Sequence, residues 1–590
     1  MLPNTRSGLA LLATVTALVL LALNLSHWWP FLADDALISL RYSQRLLAGD
    51  GLTWTAGEWV EGYSNLSWVL ICAAMGALGL ELVNAARMLG VACVVACVLV
   101  SAWALRRAHP VAVLSAAWAA ALSVPLAVWG QSGMETPLLA ALVGGALALL
   151  ADRVDRRAHA PKDLVLPALL LALACWTRPD TPALVGLVAF GFFLSAGQDL
   201  RAFRGAALLV GVSVVAIAVQ VGLRQALYGE WLPNTYHAKV VENPLGLEQG
   251  MLYVWGWANA HLPVLGLGAL GLFWMAPGTR ETRRLVVPLV LGWPTVVVLL
   301  GGDHFPAWRW LAVLAVPLAL LVGSGVGGVA ARMPRASWLL LPPVVLVGGA
   351  VWTLQLRSPS VAIVRYEGWS WEQQEVGLLF EEAFGSGQPL LATGAAGGLP
   401  FWSGLPALDM LGLCDAHIAR TEPRFPMAGH AKGDSDYVLD RAPDLVMVCA
   451  ARGGVSGCVP QETELLEHPR FQENYRMVRL LLDEDRPVEP WVRWDSERLG
   501  VRVEEGRVEL PGWMLSGSEG LGARLEGGVL GLPLEKGAEA RLGLPLEGLW
   551  RVEAGEGLFG EALSGPEGLT VVLRAEASTL VGRVVLVREP

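Results

Sequence analysis

Long apolar runs separated by short polar loops fill the first 356 residues of the chain. The runs lie near residues 9–25, 66–82, 88–105, 111–128, 137–151, 163–177, 181–197, 205–223, 251–275, 285–301, 309–329 and 337–355. Because a membrane-spanning helix needs roughly 20 apolar residues, this pattern predicts a polytopic α-helical membrane domain over residues 1–356 with about 11–13 transmembrane helices. The first run follows Arg6 and lacks a clear small-x-small cleavage site, which indicates a retained signal-anchor helix.

The pattern becomes that of a water-soluble protein after residue 356. Residues 367–384 have the pattern of an amphipathic helix, and residues 388–404 that of a buried strand running into a Gly-rich turn. Further buried strands are predicted at 443–450 and 475–483. These elements predict an extracytoplasmic α/β domain over 357–485. Residues 486–590 hold short strand-like runs between Gly-rich turns, which predicts a β-rich, sandwich-like domain.

Composition and charge support this division. Hydrophobic residues make up 54% of the chain and charged residues only 16%, against about 25% charged residues in soluble proteins. Residues 1–356 hold 21 Lys and Arg against 17 Asp and Glu, whereas the remainder holds 22 against 36. An acidic soluble part argues against a nucleic-acid partner. Cys449 and Cys458 could pair in an oxidising compartment, although spacing alone does not decide this.

Basic clusters set the predicted topology, because Lys and Arg concentrate in cytoplasmic loops. The clusters are Arg153/Arg156/Arg157, Arg201/Arg204, Arg280/Arg283/Arg284 and Arg332/Arg335. Placing them inside the cell puts 224–250, 302–308 and everything after about 356 outside, and starting instead from Arg6 inside puts 26–65 outside too. The two counts conflict in one place. Arg106 and Arg107 then face the wrong way. Either a segment between 80 and 137 is re-entrant, or the count is wrong by one crossing.

The predicted outer loops concentrate polar residues. Loop 26–65 contains adjacent acids, Asp34 and Asp35, which could serve as a base or could only mark a helix start, with Asp34 as N-cap. Loops 131–136, 176–182, 224–242 and 302–308 are also polar. Interfacial anchoring accounts for their aromatic and basic residues, but not for Glu135, Asn234 or Asp303. We therefore expect these loops to share a cavity.

Ordered sequence blocks carry a resemblance to a known family. They are DDALISLRYSQRLLAGDGLTW with GEWVEGYSN, SGMET, RPD, YGEWLPNTYHAK, GGDHFPAWR, DMLGLCDAHIA and GHAKGD. Over most of residues 1–445 the chain resembles GT-C membrane glycosyltransferases, above all the actinobacterial terminal arabinofuranosyltransferases. That resemblance implies transfer of a sugar, arabinofuranose being the first candidate, from a polyprenyl-phosphate donor to an envelope glycan or protein. It also implies a multi-pass protein of the cytoplasmic membrane that works on the outer side.

The resemblance implies a role for each polar residue. Asp34 is the candidate base, and Asp35 orients the acceptor or tunes Asp34. Arg41, on the same helical face, binds phosphate or holds an aspartate. Candidates to bind the donor phosphate are Arg41, His237, Lys239, His304 and Arg309, although His304 replaces the aromatic residue expected after GGD. Candidates to position the substrate or brace the loops are Glu61, Tyr63, Asn65, Glu135, Asn234, Tyr236, Asp303, His430 and Lys432.

Several alternatives remain open on sequence alone. Lys239 and Arg309 could be interfacial side chains, and Arg178 with Asp180 is expected to form an internal ion pair. A monophosphate leaving group does not require a metal ion, so neither a metal nor a cofactor is expected. The main competing function is a transporter or flippase for a lipid-linked glycan, which would predict buried mid-span charges and internal repeats.

Overall fold

A computed structural model describes residues 5–239, 245–273, 280–333, 336–424, 430–449, 457–483, 486–517, 520–566 and 568–589. Arg335 and Gly429, which belong to the basic clusters and to the GHAKGD block, lie outside these residues. The chain divides into two compact units. The membrane unit contains Met1–Leu47, Ser64–Trp231 and Glu242–Gly368, and the second unit contains Ala48–Tyr63, Leu232–Val241 and Trp369–Pro590.

The membrane unit is helical throughout. Its helices are α1 (Thr5–Trp28), α2 (Asp34–Ala48), α3 (Leu66–Ala77), α4 (Leu82–Ala104), α5 (Pro110–Ala121), α6 (Val124–Gln131), α7 (Thr136–Asp155), α8 (Pro161–Thr177), α9 (Thr181–Ser195), α10 (Leu200–Tyr228), α12 (Gly246–Ala260), α13 (Leu262–Phe273), α14 (Arg280–Leu299), α15 (Ala315–Arg332), α16 (Leu341–Arg357) and α17 (Pro359–Ala362); the short α11 (Asn234–Lys239) belongs to the second unit. A 3-10 turn, Arg309–Leu314, leads into α15.

In the described part of the chain, six helices are long and apolar enough to cross a membrane, or seven if the bent pair α5 and α6 counts as one span. These two helices meet at 50°. Close packing between helices depends on small residues. A Cβ atom on Gly323 of α15 would lie 2.7 Å from the carbonyl oxygen of Ala112 on α5, so this contact requires glycine.

Asp152, near the end of α7, explains the topology conflict. Its carboxylate lies 2.5 Å from Arg106, 3.2 Å from Arg107 and 3.0 Å from Arg156. Arg106 and Arg107 therefore lie at the same end of the bundle as the cluster at 153–157.

The topology conflict arises because residues 66–82 were predicted to cross the membrane. Helix α3 has only 12 residues and ends at Ala77. At 1.5 Å per residue it reaches about 18 Å, too short for a hydrocarbon core of about 30 Å. Without that crossing, α4 ends on the side of the basic cluster, and the bent pair α5–α6 leads back to the end that carries Glu135.

The second unit contains the water-soluble part of the chain. Its helices are α11, α18 (Trp369–Phe384), α19 (Gly398–Ser403), α20 (Ser435–Asp440), α21 (Pro460–Glu467) and α22 (Pro469–Asn474). Its strands are β1 (Leu391–Thr393), β2 (Ala407–Asp409), β3 (Leu445–Met447), β4 (Tyr475–Met477), β5 (Leu480–Leu481), β6 (Pro487–Val488), β7 (Trp491–Arg493), β8 (Arg502–Glu504), β9 (Arg507–Pro511), β10 (Arg524–Glu526), β11 (Val529–Leu534), β12 (Glu539–Leu544), β13 (Trp550–Glu553), β14 (Leu558–Gly565), β15 (Gly568–Ala575), β16 (Thr579–Val581) and β17 (Arg583–Arg588).

A mixed sheet organises the first half of this unit, with strand order β2-β1-β3-β7-β4. Strand β1 pairs in parallel with β2 and β3, so Leu391 lies opposite Ala407 and Leu445. The strands after residue 500 form antiparallel sheets, among them β13-β17-β9-β8 and β12-β15-β14. One hydrophobic core runs from Phe380 of α18 to Leu586 of β17, so the predicted boundary at residue 485 does not divide the core.

Residues 48–63 join this unit through its sheet edge. The Thr55 hydroxyl donates to the carbonyl oxygen of Ala407 at 2.7 Å and accepts from its amide at 3.1 Å. The indole of Trp54 donates to the carbonyl oxygen of Ala396. Because β2 is an edge strand, the Thr55 side chain satisfies backbone groups that a neighbouring strand would otherwise pair.

Candidate active site

Helix α2 carries the predicted catalytic acids in its first turn. It begins at Asp34, and the side chains of Asp34 and Asp35 are both half-buried. Asp34 is the first helical residue, so the capping interpretation is wrong by one position, since Ala33 precedes the helix. The amides of a first turn have no partners within the helix, and they favour the ionised form of a nearby carboxylate.

Arg41 follows two turns later in the same unbroken helix, so it shares the face of Asp34 as predicted. Its side chain is completely buried. A buried guanidinium needs a compensating negative charge inside the protein. Of its two predicted roles, burial favours holding a carboxylate over binding a phosphate from outside.

The turn 131–136 braces the start of α2. The carbonyl oxygen of Ser132 accepts from the Ala33 amide at 3.0 Å, and that of Gly133 accepts from the Trp68 indole at 2.9 Å. Gly133 has φ +78°, and a Cβ atom there would lie 3.1 Å from the Cβ atom of Ala36. The turn therefore needs a glycine both for its backbone and for its contact with α2.

Glu135 connects this turn with two other loops. Its Oε2 accepts from Asn65 Nδ2 at 2.9 Å, and its Oε1 accepts from Arg178 NH1 at 3.0 Å. Asn65 also exchanges hydrogen bonds with the hydroxyl of Ser39 in α2. Arg178 forms the expected ion pair with Asp180 at 2.8 Å. The polar side chains of Glu135 and Asn65 are thus engaged in holding α2 and the loops.

Asp303 and Arg309 form a buried bidentate pair. Arg309 Nε and NH2 lie 2.7 and 3.2 Å from the two carboxylate oxygens of Asp303. The remaining nitrogen, NH1, contacts the sulfur of Met134 at 3.8 Å, and the guanidinium lies 4.1 Å from the ring centre of Phe305. A thioether is a weak acceptor, so NH1 keeps the capacity to bind a stronger one. His304 is 39% exposed, and its Nδ1 lies 3.8 Å from Asp303.

Three of the predicted polar loops thus meet inside the membrane unit. Loop 131–136 makes all three contacts. Its Gly133 packs against α2, its Glu135 binds Arg178 of loop 176–182, and its Met134 contacts Arg309, just after loop 302–308. Seven of the predicted site residues other than His304 belong to this unit: Asp34, Asp35, Arg41, Asn65, Glu135, Asp303 and Arg309.

The second unit contains the other predicted residues, with Asn234 at the start of α11. Its Nδ2 donates to the carbonyl oxygens of Gly412 and Leu413 at 2.9 Å and of Asp415 at 3.2 Å. Its backbone amide donates to the carbonyl oxygen of Glu61 at 3.1 Å. Arg420 donates to the remaining side-chain oxygen of Asn234. Of its two predicted roles, these contacts match bracing a loop.

The other predicted residues of α11 follow within five positions. Tyr236 is 46% exposed and lies edge-on to His237 at 5.6 Å between ring centres. Lys239 is the last helical residue and is half-buried. Asn234 therefore fixes the helix that bears two of the predicted phosphate ligands. Glu61 and Tyr63, from loop 48–63, are both buried in the second unit.

Lys432 and His430 are built into the second unit. The ammonium of Lys432 donates to the carbonyl oxygen of Ala419 at 2.7 Å, and burial lowers the pKa of this lysine. The backbone carbonyl of His430 accepts from Gln461 at 3.0 Å. Among the residues that the structure describes, no group of three or more His, Cys, Asp or Glu side chains is placed to hold a metal ion.

Two residues of the network were not predicted from the sequence. Ser39 lies one turn past the acids on α2, and its hydroxyl bonds to Asn65 carry no sequence signature. Tyr253 accepts from the Trp310 amide at 3.3 Å, next to Arg309. The available signal for Tyr253 was a tyrosine within the apolar run 251–275. The structure also joins Cys449 and Cys458 in a disulfide, which sequence left open.

Comparison with known proteins identifies relatives for parts of the chain. A family described as a domain of unknown function (DUF8728) matches residues 362–497. The chain is 27% identical over 312 residues to the terminal β-(1→2)-arabinofuranosyltransferase of Mycobacterium tuberculosis. That match covers 50% of this chain and 47% of the relative, so the chain spans about half the length of the curated relative it matches.

Solved structures give the fold. ArnT from Cupriavidus metallidurans in the apo state matches with a TM-score of 0.51 at 14% identity, over 83% of this chain and 98% of ArnT. The chain has the GT-C fold. ArnT bound to undecaprenyl phosphate matches with a TM-score of 0.49 at 17% identity, over 68% of this chain and 86% of ArnT. Arabinofuranosyltransferase AftD from mycobacteria matches with a TM-score of 0.37 at 18% identity, over 66% of this chain and 30% of AftD. The predicted polytopic helical fold with a strand-rich C-terminal part is confirmed.

Proposed function

We propose that this protein is an inverting glycosyltransferase that moves a sugar from a polyprenyl-phosphate donor to an envelope glycan or protein. We place the reaction on the outer side of the cytoplasmic membrane, with arabinofuranose as the first candidate sugar. The observation that carries the proposal is the turn 132–136, which contacts both the acid-bearing turn of α2 and Arg309. One rigid loop thus connects a candidate base with a candidate phosphate ligand.

Asp34 acts as the base in this proposal. Its carboxylate takes the proton from the acceptor hydroxyl while that oxygen attacks the anomeric carbon. The bond between the anomeric carbon and the phosphate oxygen breaks, and its electron pair leaves with the lipid phosphate. Asp35, next to it in the first turn of α2, orients the acceptor.

Cationic side chains stabilise the departing phosphate. Arg309 is the best placed in the membrane unit, because Asp303 fixes two of its nitrogens and leaves NH1 against a weak acceptor. His237 and Lys239, at the C-terminal end of α11 in the second unit, are the other candidates to bind the donor phosphate. A monophosphate carries less charge than a diphosphate, so the proposed reaction uses neither a metal ion nor another cofactor.

The arabinofuranosyltransferase named among the relatives supports the choice of sugar, and it matches half of this chain. ArnT, which shares the fold, has also been solved with undecaprenyl phosphate. The acceptor is the less constrained partner. Tyr63 and Tyr236 are the candidates to contact sugar hydroxyls, whereas Asn65, Glu135 and Asn234 hold loops.

The test uses the full chain in lipid nanodiscs with a radiolabelled polyprenyl-phosphate arabinofuranose and an arabinan acceptor. We expect Asp34→Asn to lower the transfer rate by about 10²–10⁴-fold, the usual contribution of a general base. The matched control is Asp50→Asn, which removes a carboxylate shortly after the end of α2. Transfer by Asp34→Asn at the control rate would exclude Asp34 as the base.

The same assay separates the transferase from a flippase. A flippase moves the intact donor between leaflets and leaves its glycosidic bond unbroken. We expect the protein in detergent, without two compartments, to release polyprenyl phosphate in step with product. Recovery of uncleaved donor in detergent, from protein that translocates the donor in sealed proteoliposomes, would establish the flippase instead.

A further inference from the structure

The second unit contains an open cleft of about 660 Å³, and none of the residues that line it is a predicted site residue. Residues from three segments line it, 55–58, 441–444 and 493–498, together with the single residues Leu390 and Pro406. This volume lies within the roughly 300–1,000 Å³ of typical ligand sites. The first segment belongs to the same outer loop, 26–65, that begins with the candidate catalytic acids.

The lining is charged, and both signs are present. Its side chains include the guanidiniums of Arg441, Arg493 and Arg498 and the carboxylates of Glu58, Asp444, Asp495 and Glu497. The near balance of charge favours neither a polyanion nor a polycation. An apolar ligand would remove water from these charged groups without offering them hydrogen bonds in return. Hydroxyl groups both donate and accept, so a neutral polyhydroxylated ligand satisfies guanidiniums and carboxylates together.

The charged groups are already oriented by one another. Arg441 donates to Glu58 at 2.5 Å and to the Tyr437 hydroxyl at 3.0 Å. The buried Asp444 accepts from the Leu390 amide at 2.8 Å and from the Ser496 hydroxyl at 2.7 Å. Such mutual support holds polar side chains in place before a ligand arrives, which lowers the entropic cost of binding.

The backbone at the cleft is also unusual. Ala442 has φ +46°, a left-handed conformation that non-glycine residues rarely adopt. Its carbonyl oxygen accepts from Arg493 at 2.7 Å. Backbone strain of this kind clusters at ligand sites, where the surrounding contacts maintain it.

Three side chains at the rim remain accessible. Arg498 is 57% exposed and lies 3.6 Å from Asp444, while Asp495 is 45% exposed and pairs with Arg493 at 2.9 Å. Glu497 is exposed beside them. The rim therefore offers donors and acceptors that a ligand can reach without breaking the buried contacts of Asp444.

We propose that this cleft binds the acceptor as a neutral oligosaccharide chain, at a distance along the chain from the hydroxyl that receives the sugar. The inference rests on the proposed glycosyltransferase function and extends it to acceptor selection. A cleft of this size holds several sugar rings. The cleft shares no residue with the candidate active site, so an acceptor needs several sugar rings to occupy both, and we expect long acceptors to be favoured over short ones.

The first experiment measures binding without catalysis. The full chain in nanodiscs is mixed with a linear arabinofuranose octasaccharide, and binding is followed by saturation-transfer NMR and titration calorimetry. We expect Arg498→Ala and Asp495→Ala each to weaken binding by about tenfold, the effect of losing one good polar contact. Arg551→Ala, an exposed arginine of β13 outside the cleft, serves as the control. Unchanged binding by both cleft variants overturns the proposal.

The second experiment measures the dependence on acceptor length. We expect Arg498→Ala to raise KM for the octasaccharide by about tenfold with kcat unchanged, and to leave KM for a disaccharide unchanged. An equal loss with both acceptors overturns the proposal. So does preferential, salt-sensitive binding of an acidic polysaccharide. If no donor yields product, the proposed function fails while the binding experiment still tests the cleft.

Discussion

Glu135 and Arg178 form an ion pair of 3.0 Å in which both side chains are almost completely buried. The second carboxylate oxygen of Glu135 accepts a hydrogen bond from the side-chain amide of Asn65. This one acid therefore joins the loops that follow α6 and α8 to the helix with the candidate base.

Replacement of Glu135 by glutamine tests this junction. Glutamine offers one acceptor oxygen, and its NH2 group would face a donor of Asn65 or Arg178. Because Arg178 keeps Asp180, we expect the free energy of unfolding to fall by about 1–3 kcal/mol. Thermal unfolding in detergent measures the change, with Glu248→Gln in the exposed first turn of α12 as the control. A melting temperature equal to that of the control would show that the junction adds no stability.

Replacement of Gly133 is the second test, because only steric limits require a glycine at this position. Alanine at φ +78° costs about 1–2 kcal/mol, and its methyl group would push against Ala36 in the first turn of α2. A displacement near 1 Å at a reacting group costs about 100-fold in rate, so we expect a loss of that order in transfer by Gly133→Ala. The control is Gly211→Ala in α10, where a Cβ atom meets nothing within 4 Å. Equal transfer rates for the two variants would contradict a bracing role for the turn.

Replacement of Asn234 is the third test, because its side-chain amide must place the NH2 group, and not the oxygen, against its partners. Its NH2 group faces three carbonyl oxygens, so Asn234→Asp places a carboxylate against them and Asn234→Ala removes the contact. We expect both variants to raise KM for the donor by about 10- to 100-fold, because α11 carries His237 and Lys239. Steady-state kinetics with varied donor measure this, and Asn259→Ala on the exposed face of α12 is the control. If Asn234→Asp behaves as wild type, the carbonyl contacts do not position α11.

Asp409 provides a pH-dependent prediction for the second unit. Burial raises the pKa of this carboxyl to about 6, against the opposing effect of three backbone amides that donate to it. Since the folded state holds the proton more tightly than the unfolded chain, this group contributes stability below about pH 4. That contribution is lost as the pH rises through about 6.

Hydrogen exchange of residues 391–414, corrected for intrinsic rates, measures the effect. We expect protection in the wild-type protein to fall between pH 4 and pH 7 by an amount on the order of 1–3 kcal/mol. Asp409→Asn, which cannot titrate, should show no such slope in this range. A slope of the same size in both proteins would assign the pH dependence to other groups.

The sequence predicted the features that depend on local pattern. Polar residues clustered in short loops predicted that the segments carrying Asp34, Glu135 and Asp303 lie together, and the shared face of Asp34 and Arg41 followed from helical spacing alone. The start of α2 was wrong by one residue, because capping and first-turn positions favour the same acids.

Features that depend on distant pairing were not predictable. Residues 66–82 were predicted to span the membrane from apolar length alone. The contacts that Asp152 makes with Arg106 and Arg156 show at which end of the bundle Arg106 lies. The cleft lined by Glu58, Arg441 and Arg498 brings together segments hundreds of residues apart. Ion pairs of this kind leave no periodic pattern in a sequence, so no local rule identifies them.

The hydrogen bonds between Thr55 and Ala407 have a consequence for biogenesis. The partners are 352 residues apart, and a ribosome adding about 5–20 residues per second makes the second roughly 20–70 s after the first. Segments 48–63 and 232–241 must therefore emerge and wait in water while most of the chain is still being synthesised. A premature stop anywhere before β2 leaves both segments without their partners, so truncated chains expose these segments to proteolysis.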